Sequence, residues 1–135
     1  MSEPLHQAIE LHDSELASVS QVGESVVLSF SSVCLHESSG APGVDAGIGW
    51  YQPATLSVGD ARIAASVRLP AAVSDGFLRV GDILHQNSIP ATTGTLGGPI
   101  ELSLLLSTSE TLLVRGATIT IELSGKPSPI EHFSL

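Results

Sequence analysis

Two short segments concentrate the residues that could do chemistry: His12-Asp13-Ser14-Glu15, and later Cys34-Leu35-His36-Glu37. Imidazole, thiol and carboxylate groups ligate zinc, and an imidazole near a carboxylate can move a proton. If the two segments form a hairpin turning near Val22 to Glu24, His12 falls across from Cys34 and His36 across from Glu10. Cys34 and His36, two apart on a strand, share a face. His85 offers a third imidazole. His12, His36 and His85 are therefore candidate ligands for zinc or another divalent metal, with Asp13 or Glu37 as base, in a metal-assisted hydrolase or isomerase.

The spacing departs from patterns that announce such sites. There is no Cys-x-x-Cys or His-x-x-x-His pair, and no His-x-His of the kind a cupin metal centre uses. Ser14, Ser38 and Ser39 lie near histidines, but no Gly-x-Ser-x-Gly elbow presents a hydroxyl to an oxyanion hole. His12 and Asp13 are adjacent, so on a regular strand they would point to opposite faces. Gly43-Val-Asp-Ala-Gly-Ile-Gly49 is followed by no helix pattern, and Gly94-Thr-Leu-Gly-Gly98 lacks the Lys-Ser/Thr of a phosphate loop. No catalytic residue is assigned and no organic cofactor site is expected. Trp50 and Tyr51 are consecutive, so one faces the core, and packing is the expected role of Trp50.

The elements that must position these residues are strands. Ile63, Ala65, Val67 and Leu69 alternate with Arg62, Ala64, Ser66 and Arg68, which makes residues 62–69 the clearest half-buried strand, ended by Pro70. The same period runs through Ile100, Leu102, Leu104 and Leu106, and through Ile119, Ile121 and Leu123. Leu112 and Val114 read as a short strand between them, with Ser109-Glu110 and Gly116 as turns. Residues 50–58 and 77–85 add two more strands, the former carrying Pro53, which suits an edge or a strand start. Val26, Leu28 and Phe30 share one parity while Val33 and Leu35 take the other; a β-bulge near Ser31-Ser32 or a strand covered on both faces accounts for the switch. Residues 3–19 read as a short helix or coil, then a strand from about Ile9. Two long glycine-containing loops, 36–49 and 86–99, are where binding residues would sit on a rigid β scaffold.

Composition limits the function classes. The 135 residues carry 14 acids against 5 bases, for a net charge of −9. A chain of this length can bury a core without disulfides or a structural metal. Clustered basic residues, which a nucleic-acid binder needs, are missing, since Lys126 is the sole lysine. The charge is uneven: residues 1–61 hold Glu3, Glu10, Asp13, Glu15, Glu24, Glu37, Asp45 and Asp60 and no Lys or Arg. Cys34 is the single cysteine, and the opening Met1-Ser-Glu-Pro-Leu-His6 lacks the basic start and apolar run of a secretory signal. The longest charge-free stretch, residues 83–100, holds Gln, Asn, Gly and two Pro, so no membrane span is predicted and a cytoplasmic location is expected.

Leu11-His-Asp-Ser-Glu-Leu16, the strand from Val26 to Phe30, Gly116-Ala-Thr-Ile-Thr-Ile-Glu-Leu-Ser-Gly125 and Ile130-Glu-His-Phe133 together resemble small bacterial β-domains of uncharacterised function. The resemblance covers about the first fifth and last quarter of the chain, and implies a fold class without an activity or ligand. The sequence thus predicts one all-β domain over residues 1–135, an antiparallel sandwich or partly closed barrel of about eight strands. The first functional reading is a non-enzymatic binding or assembly module. A mean hydropathy of +0.32 with only 14% charged residues leaves few groups to cover the surface, which predicts a homodimer or higher oligomer. The metal-assisted enzyme is the second reading. The third is an acidic neutraliser of a basic protein partner, carried by the base-free first half.

Overall fold

The structure is a computed structural model that describes residues 6–38, 48–63, 66–90, 94–125 and 128–129. These form nine strands: β1 (His6–Val22), β2 (Ser25–Ser38), β3 (Ile48–Gly59), β4 (Ala71–Val80), β5 (Ile83–Gln86), β6 (Ser88–Pro90), β7 (Gly94–Leu106), β8 (Thr111–Leu123) and β9 (Ser128–Pro129). All pairings are antiparallel. The order β4-β7-β8-β3-β2-β1 returns on itself, because Glu15 and Leu16 of β1 pair with Ala72 and Ala71 of β4. The result is a closed six-stranded barrel, with β5 appended to β4, β6 to β1 and β9 to β3. No helix among the described residues is long and apolar enough to cross a membrane.

The interior is filled by the residues whose alternation announced the strands. Leu28, Leu56, Leu102, Leu104 and Ile119 are buried in one cluster with Leu11, Leu16, Leu35 and Leu78. Small barrels are packed in this way, by side chains rather than by solvent. Of the two explanations for the parity switch in residues 26–36, the bulge at Ser31-Ser32 is the one present: Phe30 pairs with Ala54 and Val33 with Gln52, so β2 carries one extra residue and its inward set changes parity. Pro53 stands opposite that bulge, where its missing N–H breaks no regular ladder bond.

Several expectations are corrected. Residues 61–63 and 66–70 are irregular rather than a strand. Their alternation is real, since Ile63, Val67 and Leu69 pack on the core while Arg62, Ser66 and Arg68 are exposed. Apart from Ala61 N, which donates to the Glu24 carbonyl at 2.9 Å, the backbone bonds shown for this segment run to side chains. Gln21 accepts from Ile63 N at 2.9 Å and donates to the Ala61 carbonyl at 2.9 Å, and the Glu110 carboxylate accepts from Arg68 N at 3.0 Å. Arg68 Nε and Thr108 Oγ1 bond the same carboxylate, whose pKa is lowered chiefly by the Arg68 backbone amide. An extended segment laid over a barrel has the periodicity of a strand without being in the sheet. Ala64 and Ala65 lie outside the described residues.

Residues 77–85 are the end of β4, a two-residue turn at Gly81-Asp82 and part of β5, rather than one strand. Positive φ at Gly81 supplies the turn. Gly116 is no turn but lies inside β8, which runs unbroken past Leu112 and Val114. A Cβ there would overlap the Gly59 carbonyl oxygen and stand 2.6 Å from Val58 Cγ1, so the glycine permits a close approach of β3 to β8. The Ser109-Glu110 turn is as expected, with positive φ at Ser109. β1 already begins at His6, ahead of the expected start near Ile9, and residues 3–5 of the expected helix or coil lie outside the described residues. The long loops shrink: β2 continues to Ser38 and β3 starts at Ile48, while β6 and the start of β7 occupy much of 86–99.

Candidate functional site

The β1–β2 hairpin turns at Gly23-Glu24 as predicted, but its register changes along its length. Val22 pairs with Ser25 near the turn, whereas at the far end Glu10 pairs with Cys34 and Ala8 with His36. Between Glu10 and Glu15, β1 spends five steps where β2 spends two, leaving Leu11 to Ser14 out of the ladder with β2. The expected register, turning near Val22 to Glu24, put His12 across from Cys34; continuing the observed pairing of Val22 with Ser25 would put it across from Leu35. The excursion moves it.

Three residues hold the excursion in place. Asp13 takes positive φ, a conformation that Asp and Asn tolerate better than most side chains. Ser14 is completely buried, donates to the Glu10 carbonyl at 2.9 Å and accepts from Cys34 N at 3.4 Å. Asn87, also at positive φ in the corner between β5 and β6, does the rest. Its backbone N donates to the Gly76 carbonyl and its carbonyl accepts from Leu11 N at 2.7 Å. Its Oδ1 accepts from His12 N at 2.9 Å, and its Nδ2 meets His12 Nδ1.

That pairing sets the imidazole chemistry. An amide nitrogen only donates, so with Asn87 Oδ1 taken by the His12 backbone, Nδ2 donates to Nδ1 and the ring proton of neutral His12 sits on Nε2. Nε2 in turn faces Glu10 Oε2 at 3.7 Å and Asp13 Oδ2 at 3.6 Å. Neither ring nitrogen is left as an open acceptor in this arrangement.

Glu10, Cys34 and Tyr51 form a cross-strand row over β1, β2 and β3. The Cys34 thiol lies 4.0 Å from Glu10 Oε2, and the residue is only 7% exposed. Burial first, then the Glu10 and Asp13 carboxylates, push its pKa up to about 11. The Tyr51 hydroxyl is pushed up as well, by burial and then by the Cys34, Asp13 and Glu10 charges. Both groups thus stay protonated as donors beside two carboxylates. A reactive cysteine needs the opposite surroundings, an electropositive site that stabilises the thiolate. The row suits polar recognition rather than nucleophilic attack.

The structure separates the remaining candidates. His36 is buried on β2, with Ala8 and Gly49 as its neighbours across the ladder. His85 is half-buried on β5, opposite Leu78. Among the described residues, no three His, Cys, Asp or Glu side chains form a group that could hold a metal ion. The side chain of Glu37 lies outside what the structure describes, as do Ser39 and most of the 36–49 segment. Ser14 is committed to bracing the excursion and is no exposed nucleophile.

Sequence reasoning missed Asn87 and Tyr51. Asn87 sits between two short β segments, and an Asn in such a place signals a positive-φ corner, but its contact with His12 spans 75 positions. Tyr51 was legible only as the outward partner of Trp50, which packs on the core and bonds Gln52 Oε1 at 3.2 Å. Among the described residues there are also surface recesses, one lined by Glu24, Asp60, Ala61 and Arg62. Another is lined by Val19, Ile63, Ser66, Val67, Leu69 and Leu112. Comparison of the chain with family models, with curated proteins and with solved structures finds no match.

Proposed function

We propose that the chain is a non-catalytic binding and assembly module. The observation that carries this reading is the filled barrel: its interior is occupied by apolar side chains, so recognition falls to the outer wall. On that wall stand large apolar side chains that a solitary domain would be expected to cover, including Ile83, Leu84, Leu105 and Leu113. The thiol and phenol of the Glu10–Cys34–Tyr51 row are held in their neutral forms, which favours a contact surface over a reaction centre. Sedimentation velocity across a concentration series tests the reading. A dimer or larger species at micromolar concentration is expected, and a monomer throughout would refute assembly.

A specific observation favours a second reading, the acidic contact surface. The described part of the segment without Lys or Arg forms β1, β2 and β3, which are neighbours in the barrel, so three contiguous strands of the wall supply no Lys or Arg side chain. Glu15 and Glu24 are exposed there, as is Asp13 in the excursion of β1. A cationic protein bound to this wall would be released steeply by salt. Binding indifferent to ionic strength would dismiss the electrostatic basis.

A further inference from the structure

The opposite side of the barrel carries a different pattern. Register aligns the outward residues of β5, β4, β7 and β8 into rows. Gln86, Phe77, Ser103 and Leu113 form one row, and Leu84, Arg79, Glu101 and Arg115 the next. Leu105, opposite Asp75 and Thr111, lies diagonally beside both Phe77 and Leu113. Leu84, Leu105 and Leu113 are 49%, 41% and 39% exposed, and Phe77 is half-buried among them. They make a continuous apolar diagonal across four strands.

The charges around this diagonal are arranged with a centre. Asp75 and Arg79 stand two residues before and two after Phe77, on the same outward face and both exposed. Arg115 is neutralised locally by Glu101 at 3.0 Å, and Arg68 by Glu110 at 3.3 Å. Asp75 and Arg79 take part in no ion pair among the described residues. A second copy laid antiparallel on β4 would seat Phe77 on Phe77 and bring each Asp75 to the other copy's Arg79. Self-complementarity of this kind is the requirement of a two-fold interface.

Resting on the assembly reading above, we propose that this face is the dimer seam, occupied by a second copy of the chain and registered by the Asp75–Arg79 pairs. Sedimentation of the wild type and three charge variants tests it. Arg79→Asp and Asp75→Arg each set like charges against each other and should weaken dimerisation by about tenfold or more. The combined Asp75→Arg, Arg79→Asp chain restores the pairing and should regain most of the affinity. Circular dichroism on each variant confirms the fold, and both positions are exposed. A wild-type dimer indifferent to all three variants would overturn the seam while leaving assembly standing, as would a dimer made instead by pairing along the open edge of β5. A wild-type monomer at every concentration would remove the assembly reading itself, and this seam with it.

Discussion

Alkylation of Cys34 tests the electrostatics of the outer row directly. Its pKa is raised from 9.0 to about 11, so at neutral pH its thiolate population falls about a hundredfold relative to an unperturbed thiol. With the sulfur also shielded, iodoacetamide should modify the native protein at least about a hundredfold more slowly than the denaturant-unfolded chain at the same pH. Because burial is the largest cause and Glu10 the next, Glu10→Gln should recover only part of the lost rate. The same shift couples to stability with a definite sign. The folded state disfavours the thiolate, so the stabilising contribution is complete below pH 9 and is lost as pH rises from 9 towards 11. Its size is about 2 to 3 kcal/mol, taking about 1.4 kcal/mol per unit. Urea melts of the wild type and Cys34→Ala across that interval should converge as the wild type loses this contribution. Native labelling as fast as that of the unfolded chain, or pH profiles that run parallel, would refute the reasoning.

Gly116→Ala should destabilise the barrel by about 3 kcal/mol or prevent folding, because the new methyl meets backbone on β3. Gly97→Ala, where the added atom meets open space, should change stability by no more than about 0.5 kcal/mol, and denaturant midpoints compare the two. Asn87→Ala loses both side-chain bonds to His12 and keeps a side chain at positive φ, for a cost of about 2 to 3 kcal/mol. Asn87→Gly should recover about 1 kcal/mol of that by relieving the backbone, again read from thermal or denaturant melts.

Period-two alternation carried the fold class, and the parity change within β2 marked Ser31-Ser32 as a bulge or a strand covered on both faces, between which the register decides for the bulge. It overreached at residues 62–69, because alternation reports that one side of an extended segment is apolar, and says nothing of whether its amides pair with a strand or with Gln21 and Glu110. It fell short in β8, where Gly116 was read as a turn and proved to be a point of contact between strands. Closure of the barrel was likewise illegible, since the β1–β4 pairing joins segments with no local signal for each other. At the candidate site, sequence found His12, Glu10, Asp13 and Cys34 by their types. Their arrangement depended on an irregular register and on Asn87, both decided by tertiary contacts.

The ring is fastened unevenly. Most neighbouring strands share long ladders, yet β1 pairs directly with β4 only at Glu15–Ala72 and Leu16–Ala71, with Asn87 bridging Gly76 of β4 to Leu11 of β1 further along. Those partners are more than fifty positions apart along the polypeptide, so loop-closure entropy opposes their meeting until intervening hairpins have formed. This short latch is therefore the last joint to engage during folding and the first to release in a native-state fluctuation. Amides of Glu15 to Ala17 should trade hydrogen for deuterium well ahead of those in the β7–β8 ladder, and a protease admitted through the gap would reach the middle of β1 and the start of β4 before any other part of the wall.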